Sequence, residues 1–213
     1  MPLLTTCFVV GGLIGVIMAG FIEYGTLRNL GVASLFGVGL IEETVKLIFP
    51  VVMFVSWKYQ HEADGLLFGV AAGMGFAALE TMGYALVNLI QSRGDVGVLQ
   101  QVLLIRGLLS PSGHAAWTGF VCAALWRQRQ VSGHLIGLPV IGAFLVAVLL
   151  HSLWDVVSTM NVQTSAQLTL YIVLLLVLIT TSLFLLIWRF HKARGIALKA
   201  FKAPEQPGVP ANP

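Results

Sequence analysis

Long apolar runs separated by short polar stretches dominate the sequence. Six runs can be marked, at about residues 3–22, 31–57, 65–90, 107–126, 135–160 and 167–188. A helix needs roughly 20 apolar residues to cross the hydrocarbon core of a bilayer, and each run reaches that length. The pattern therefore predicts an all-α membrane protein, a polytopic helical bundle of about six transmembrane helices.

The stretch 98–108 leaves the count open between five and seven. Arg106 and the sequence Ser110-Pro111-Ser112-Gly113 interrupt the apolar pattern here. Irregular backbone at membrane depth is tolerated where it is buried in protein or lines a water-filled cavity. We therefore expect a re-entrant or interfacial segment that leads into the fourth helix.

Composition excludes two classes of protein. Hydrophobic residues make up 57% of the sequence and charged residues only 10%, whereas about a quarter of the residues in soluble proteins are charged. A soluble domain and a nucleic-acid binder are therefore excluded, despite the formal net charge of +3. Cys7 and Cys122 both lie in apolar runs, so neither a disulfide framework nor a thiolate metal site is expected. The first run begins at Leu3 without a basic leader or a cleavage site, which predicts a retained helix rather than a signal peptide.

The basic residues predict the orientation of the helices. If both termini lie on one side, that side has eight Lys and Arg residues and the other side has three. The eight are Lys58, Arg127, Arg129, Arg189, Lys192, Arg194, Lys199 and Lys202, and the three are Arg28, Arg93 and Arg106. By the positive-inside rule, this bias predicts cytoplasmic termini for a multi-pass protein of the inner (plasma) membrane. Residues 1–202 form the predicted transmembrane domain, and residues 203–213, with four prolines, a predicted disordered cytoplasmic tail.

Several predicted helices contain ionisable residues at positions where lipid is expected. They are Glu42, Glu43 and Lys46 in the second helix, Glu80 in the third, His114 in the fourth, and His151 and Asp155 in the fifth. A charged group at the centre of a bilayer costs at least about 2.5–3.5 kcal/mol, so such residues are usually functional. Each group taken alone also suits a structural role, such as an ion pair between helices or a hydrogen-bonded histidine.

Helical spacing relates these residues to one another. Lys46 follows Glu42 by four positions and Glu43 by three, so its ammonium can reach either carboxylate. The two glutamates point about 100° apart around the helix, and one is expected to pair with Lys46 while the other points elsewhere. His151 and Asp155 are also four positions apart, and the carboxylate is expected to orient the imidazole.

Depth in the membrane gives a second relation. At a rise of about 1.5 Å per residue, Glu42 lies about 17 Å and His114 about 10 Å from the outer ends of their predicted helices. Glu80 and His151 lie about 23 Å and 24 Å from the inner ends of theirs. All four heights fall in the middle to outer part of a core about 30 Å thick. One stripe of the third helix is expected to face the bundle interior. It contains Gly69, Gly73, Phe76, Ala77, Glu80 and Tyr84. Four helices are thus predicted to bring polar groups to one layer.

These residues lie in motifs that resemble the PrsW family of intramembrane proteases, within the wider superfamily of CAAX-type glutamic proteases. The motifs are Leu40-Ile41-Glu42-Glu43-Thr44-Val45-Lys46, Asp64-Gly65-Leu66, Gly75-Phe76-Ala77-Ala78-Leu79-Glu80, Arg106-Gly107-Leu108-Leu109, His114-Ala115 and Leu150-His151-Ser152-Leu153-Trp154-Asp155. Ordered motifs over roughly residues 39–158 are more specific than a lone pair of glutamates. The resemblance implies membrane-anchored protein substrates. An anti-sigma factor is one candidate, and its cleavage would be the initial cut in regulated proteolysis.

The residue types favour hydrolysis by an activated water. Peptide hydrolysis needs a nucleophile, a base and donors for the oxyanion, and the sequence pairs no serine or cysteine with a base. Glu42 is expected to activate water, with Glu43 as the alternative base; His151 is expected to position the water or stabilise the oxyanion. His114 is expected to supply a second donor or protonate the leaving amine, and Glu80 to accept a hydrogen bond from a histidine or to stay protonated. The expected catalytic residues are Glu42, Glu43, His151, His114, Glu80 and Asp155, with Lys46 and Phe76 in support and no cofactor.

Two other functions use the same residue types. The glutamates with His114 and His151 could hold a divalent metal such as zinc around a hydrolytic water, although the sequence has no HExxH pair. Intramembrane Glu, Asp and His residues also form the relays of proton-coupled transporters. The sequence shows no internal repeat of the kind that many transporters have. The expected partners are a membrane-anchored protein substrate and the lipid bilayer.

Overall fold

The structure, a computed structural model, describes residues 2–26 and 33–202, and all regular elements within these ranges are helices. The helices are α1 (Pro2–Thr26, π-helical over Cys7–Gly11), α2 (Ala33–Lys46), α3 (Ile48–Val55), α4 (Glu62–Gln91), α5 (Val96–Ser132), α6 (Leu138–Ser158) and α7 (Ser165–Lys202). Arg28 and the predicted tail 203–213 lie outside the described residues.

The predicted all-α membrane bundle is confirmed. Helices α2 and α3 adjoin at Leu47, so the described chain has six helical segments. Four of these are long and apolar enough to cross a membrane: Pro2–Thr26, Glu62–Gln91, Leu138–Ser158 and Ser165–Ile196. The remaining two are the broken second segment, with its two glutamates and lysine, and α5. Both contribute charged residues that pack against other helices inside the bundle.

The expectation of a re-entrant segment at 98–108 is wrong. Helix α5 begins directly after Asp95, whose carboxylate accepts hydrogen bonds from the backbone N–H groups of Gly97 (2.8 Å) and Val98. It then continues without interruption through Pro111. Arg106 does not break the helix because its guanidinium pairs with a carboxylate of α4 instead of requiring water.

Helices α4 and α5 form the centre of the bundle, joined by the short turn 92–95 and therefore antiparallel. Small residues allow their close approach. A Cβ atom at Gly69 would lie 2.6 Å from the Thr118 carbonyl oxygen, and one at Gly73 would overlap the carbonyl of His114. The predicted stripe of α4 thus faces the interior at its glycines, whereas Tyr84 at its end is exposed.

The other helices surround this pair. Helix α2 contacts α6, helix α1 packs on α4 through Gly12 and Gly75, and α7 covers α5. Many large apolar side chains of α1, α6 and α7 are exposed, as expected for surfaces that face lipid. The bundle has a basic end, at which α4 and α6 begin and α5 and α7 end, marked by the contact of Arg189 with Glu62. The opposite end, where α4 and α6 end, is called the far end below.

Candidate active site

The Lys46 ammonium is the centre of a buried polar cluster at the end of α2. Its Nζ lies 2.9 Å from Oε1 of Glu43 and 3.2 Å from Oε2 of Glu42. A third contact, of 2.7 Å, reaches Nδ1 of His114 on α5, and the Phe76 ring of α4 lies 4.2 Å from Nζ. The expectation that only one glutamate pairs with Lys46 is therefore wrong, because the flexible lysine stem places the ammonium between both carboxylates.

His151 brings α6 into the same cluster. Its Nδ1 lies 2.9 Å from Oε1 of Glu43, and its Nε2 lies 3.3 Å from Oε2 of Glu42. The distance from Nε2 to Oδ2 of Asp155 is 3.7 Å, which is too long for a hydrogen bond. Glu43, rather than Asp155 as expected, is thus the carboxylate that orients the imidazole.

A second ion pair holds the opposite side of His114. Its Nε2 lies 3.2 Å from Oε2 of Glu80, and Arg106 of α5 approaches the same oxygen at 2.9 Å. The Arg106 guanidinium also lies over the ring of Tyr84 at 3.9 Å. Two roles were expected for Glu80, acceptor to a histidine or protonated donor. The adjacent guanidinium favours the ionised carboxylate, although Oε2 is close to His114 without forming an aligned hydrogen bond.

Burial differs within the cluster. Glu42 is 6% exposed, and Glu43, Lys46, His114 and His151 are each 1% exposed. The side chains of Glu80 and Asp155 retain 16% and 21% exposure. These two residues form the more exposed edge of the cluster, called its open edge below. Asp155 lies near the last turn of α6, so the open edge is directed towards the far end.

Sequence reasoning missed three residues as members of the site, although one of them lies in a motif that resembles the family. The Trp117 indole stacks on the His151 imidazole with centroids 4.9 Å apart, and its Nε1 donates to Oγ of Ser182 at 2.9 Å. Glu23 directly follows the first apolar run, 3–22, but it lies in α1 with its carboxylate within electrostatic range of the cluster. The third is Arg106. A signal for Trp117 was its spacing of three residues after His114, which places both on one helix face.

Acidic groups outnumber permanent cations in this region. Five carboxylates, those of Glu23, Glu42, Glu43, Glu80 and Asp155, accompany Lys46 and Arg106. Buried oxygens of Glu23, Glu43 and Asp155 have no hydrogen-bond partner among the described residues. Unpaired buried acceptors are costly, so the cluster suits added protons, ordered water or a bound cation.

Three side chains have the donor types of a catalytic zinc site. One ligand atom each from Glu42, His114 and His151 lies within 4.8 Å of the others, and two histidines with one glutamate are a known catalytic zinc ligand set. The second ring nitrogen of each histidine faces a carboxylate, as metal-bound histidines usually do. The donor set therefore fits a divalent ion, provided that Lys46, which contacts two of the three donors, withdraws.

All eight residues expected at the site lie in this one cluster, contributed by α2, α4, α5 and α6. Their catalytic roles stay predictions.

Comparisons with known proteins identify the family of the chain. Residues 1–183 match the family described as "PrsW family intramembrane metalloprotease". The chain is 28% identical over 157 residues to a protein named "Protease PrsW" from Halalkalibacterium halodurans, in an alignment covering 70% of this chain and 67% of that protein. No solved structure matches the chain. Because the family match spans nearly all of the helical bundle and includes every residue of the cluster, the chain belongs to the PrsW family of intramembrane proteases.

Proposed function

We propose that this protein is an endopeptidase that cleaves membrane-anchored proteins with a water activated by Glu42. The contact between Glu42 and His151, 3.3 Å apart at the buried centre of four helices, is the observation that carries the proposal. A carboxylate and an imidazole in this arrangement are a base and a donor within reach of one reacting centre.

The hydrogen bonds support definite proton positions. Lys46 can only donate, so Nδ1 of His114 accepts from it and the Nε2–H of His114 faces Glu80. Nδ1 of His151 correspondingly donates to Glu43. The remaining Nε2 of His151 faces a carboxylate oxygen of Glu42, so this pair must share a proton.

With these proton positions, the origin and destination of every proton in the hydrolysis can be assigned. With the shared proton on His151, the Glu42 carboxylate takes a proton from water as the oxygen attacks the scissile carbonyl. Nε2–H of His151 donates to the oxyanion, a contribution that is typically worth about 10²–10³ in rate. Glu42 then returns its proton to the leaving amine as the C–N bond breaks. Both ring nitrogens of His114 are engaged in this arrangement, by Lys46 and by Glu80, so His114 acts by holding Lys46 in place rather than as the expected donor.

A metal-dependent form of the same reaction is the second candidate. Glu42, His114 and His151 would hold the ion, which would supply a Lewis acid that lowers the pKa of a bound water. The wild-type protein and Glu42→Gln, purified without chelator, distinguish the two forms. About one zinc per chain in the wild type alone, with cleavage lost to EDTA and restored by zinc, would replace the metal-free mechanism.

The direction of the open edge supports a side of the membrane for cleavage. Glu80 and Asp155 are directed towards the far end, which the basic residues predict to be extracytoplasmic. We therefore propose cleavage at or near the extracytoplasmic face, with a membrane-anchored anti-sigma factor as a candidate substrate by resemblance to the family.

A comparison of membrane-protein fragments in cells tests the proposal. Fragments present with the wild type should disappear with Glu42→Gln, while the variant still inserts. Asp95→Asn is the matched control, because it is also an acid-to-amide change but lies outside the cluster and asparagine still caps a helix. Unchanged fragments with Glu42→Gln would refute the assignment. Ion-gradient-driven uptake by reconstituted vesicles without cleavage would favour the transporter.

A further inference from the structure

A cavity lined by basic side chains lies at the basic end, outside the catalytic cluster. Its volume is about 200 Å³, and it lies between the last turns of α5, the start of α6 and the C-terminal part of α7. Arg127, Gln128, Pro139, Arg189 and Lys192 are among its lining residues. Nothing in the proposed hydrolysis uses these side chains.

The cavity has an excess of positive charge. Arg127, Arg189 and Lys192 contribute three cations, and the nearest acidic partner is the buried Glu62. Its Oε1 accepts from Nη1 of Arg189 at 3.1 Å, and its Oε2 lies 3.8 Å from Nε of Arg127. One carboxylate against three cations leaves a net charge of about +2 beside the cavity.

Arg189 provides the observation that points to a ligand. The residue is only 7% exposed, and its Nε has no hydrogen-bond partner in the described part of the chain. A buried donor of a charged group without an acceptor costs more than about 1–3 kcal/mol. Arg189 therefore lines the cavity and has a buried Nε–H group that no described residue satisfies.

The position of the cavity indicates which kind of molecule supplies a hydrogen-bond acceptor for Arg189. It lies where α5 ends and α6 begins, and Lys192 beside it lies 5.3 Å from the Trp188 ring. Tryptophan and lysine at a helix end are typical of the membrane interface, at the depth of lipid headgroups. Arginine binds phosphate oxygens through two parallel hydrogen bonds, and basic pockets between membrane helices bind anionic headgroups.

We propose that this cavity binds the phosphate group of an anionic phospholipid. Arg127 and Lys192, which are more exposed, contact the headgroup, and Arg189 donates its unused N–H from below. The lipid would tie α5, α6 and α7 together at the basic end.

Thermal unfolding in nanodiscs tests this site. The wild type is compared in phosphatidylcholine, in phosphatidylcholine with phosphatidylglycerol, and in phosphatidylcholine with inorganic phosphate. The test variant is Arg127→Gln/Lys192→Gln. The matched control is Arg194→Gln/Lys199→Gln, which removes the same charge from exposed positions of α7 that do not line the cavity.

The wild type and the control should unfold at a higher temperature with phosphatidylglycerol, and native mass spectrometry should find one retained anionic lipid. The test variant should lose most of this shift and retain at least fivefold less lipid. Equal shifts of the unfolding temperature in the two double variants would overturn the proposal. It would also be overturned if inorganic phosphate stabilised the wild type without phosphatidylglycerol. If the double variant does not fold, Lys192→Glu, a single change at an exposed residue, replaces it with the same expected loss.

Discussion

At the scale of single residues, Lys46 determines the electrostatics of the catalytic cluster. One ammonium contacts two glutamates, a histidine and an aromatic ring, and all these side chains are nearly fully buried. Removing one partner of a buried ion pair leaves the other charge buried and uncompensated. The stability lost in this way exceeds the net stabilisation that the intact pair provides.

Replacement of Lys46 by methionine should therefore destabilise the protein by about 3–5 kcal/mol and abolish cleavage. The measurements are thermal unfolding in detergent and the fragment assay. The control is Lys58→Met, at an exposed lysine beyond the end of α3, which should change stability by less than about 0.5 kcal/mol. A stable and active Lys46→Met protein would contradict the central position of the ammonium.

The contacts of His151 indicate which of two carboxylates orients its imidazole. Glu43 bonds the imidazole at 2.9 Å, whereas Asp155 is 3.7 Å away. We expect Glu43→Gln to lower the cleavage rate at least about 10-fold, because partners that orient a histidine are typically worth 10–100-fold. Asp155→Asn should cause a much smaller loss. The two rates, measured on one reconstituted substrate, check this order, and the reverse order would support Asp155 as the orienting residue.

At the scale of helices, the α4 and α5 pair fixes the position of His114. Gly73 of α4 lies against the backbone of His114 itself. A side chain at this position must separate the two helices and move the histidine away from Lys46.

Gly73→Ala should thus reduce cleavage and destabilise the bundle by about 1–3 kcal/mol, the usual cost of overpacking. Gly83→Ala is the matched control in the same helix, because a Cβ there meets nothing within 4 Å among the described residues. It should be neutral or slightly stabilising, since alanine favours a helix. Unfolding temperature and cleavage are measured for both variants, and equal effects would argue against the close approach.

The sequence allowed the helices and the composition of the cluster to be predicted, but not its internal pairing. Apolar runs and buried charges at one depth indicated that Glu42, Glu80, His114 and His151 converge. Which carboxylate bonds to which cation or histidine depends on differences of about one ångström in the distances between side chains of separate helices. The spacing of residues along one helix carries no information on these distances. Glu23 was missed because an acidic residue near a helix end resembles the start of a loop.

At the scale of the whole molecule, the two ends of the bundle differ in charge, which predicts its orientation. Native Cys7 and Cys122 are buried, so added cysteines can be labelled without background. Gln91→Cys at the far end should react with a membrane-impermeant thiol reagent in intact spheroplasts. His134→Cys at the basic end should react only after permeabilisation. Both positions are exposed, and the opposite labelling pattern would invert the proposed topology.

The open edge restricts the conformation in which a peptide can be cut. The backbone carbonyls in the interior of a membrane-spanning helix are hydrogen-bonded within that helix, and Glu42, which is only 6% exposed, lies deeper in the bundle than the more exposed Glu80 and Asp155. An intact helix presents no free carbonyl to the buried Glu42, so we expect the substrate to unwind locally before hydrolysis. Glycine and proline weaken helices and should therefore mark the preferred cleavage positions.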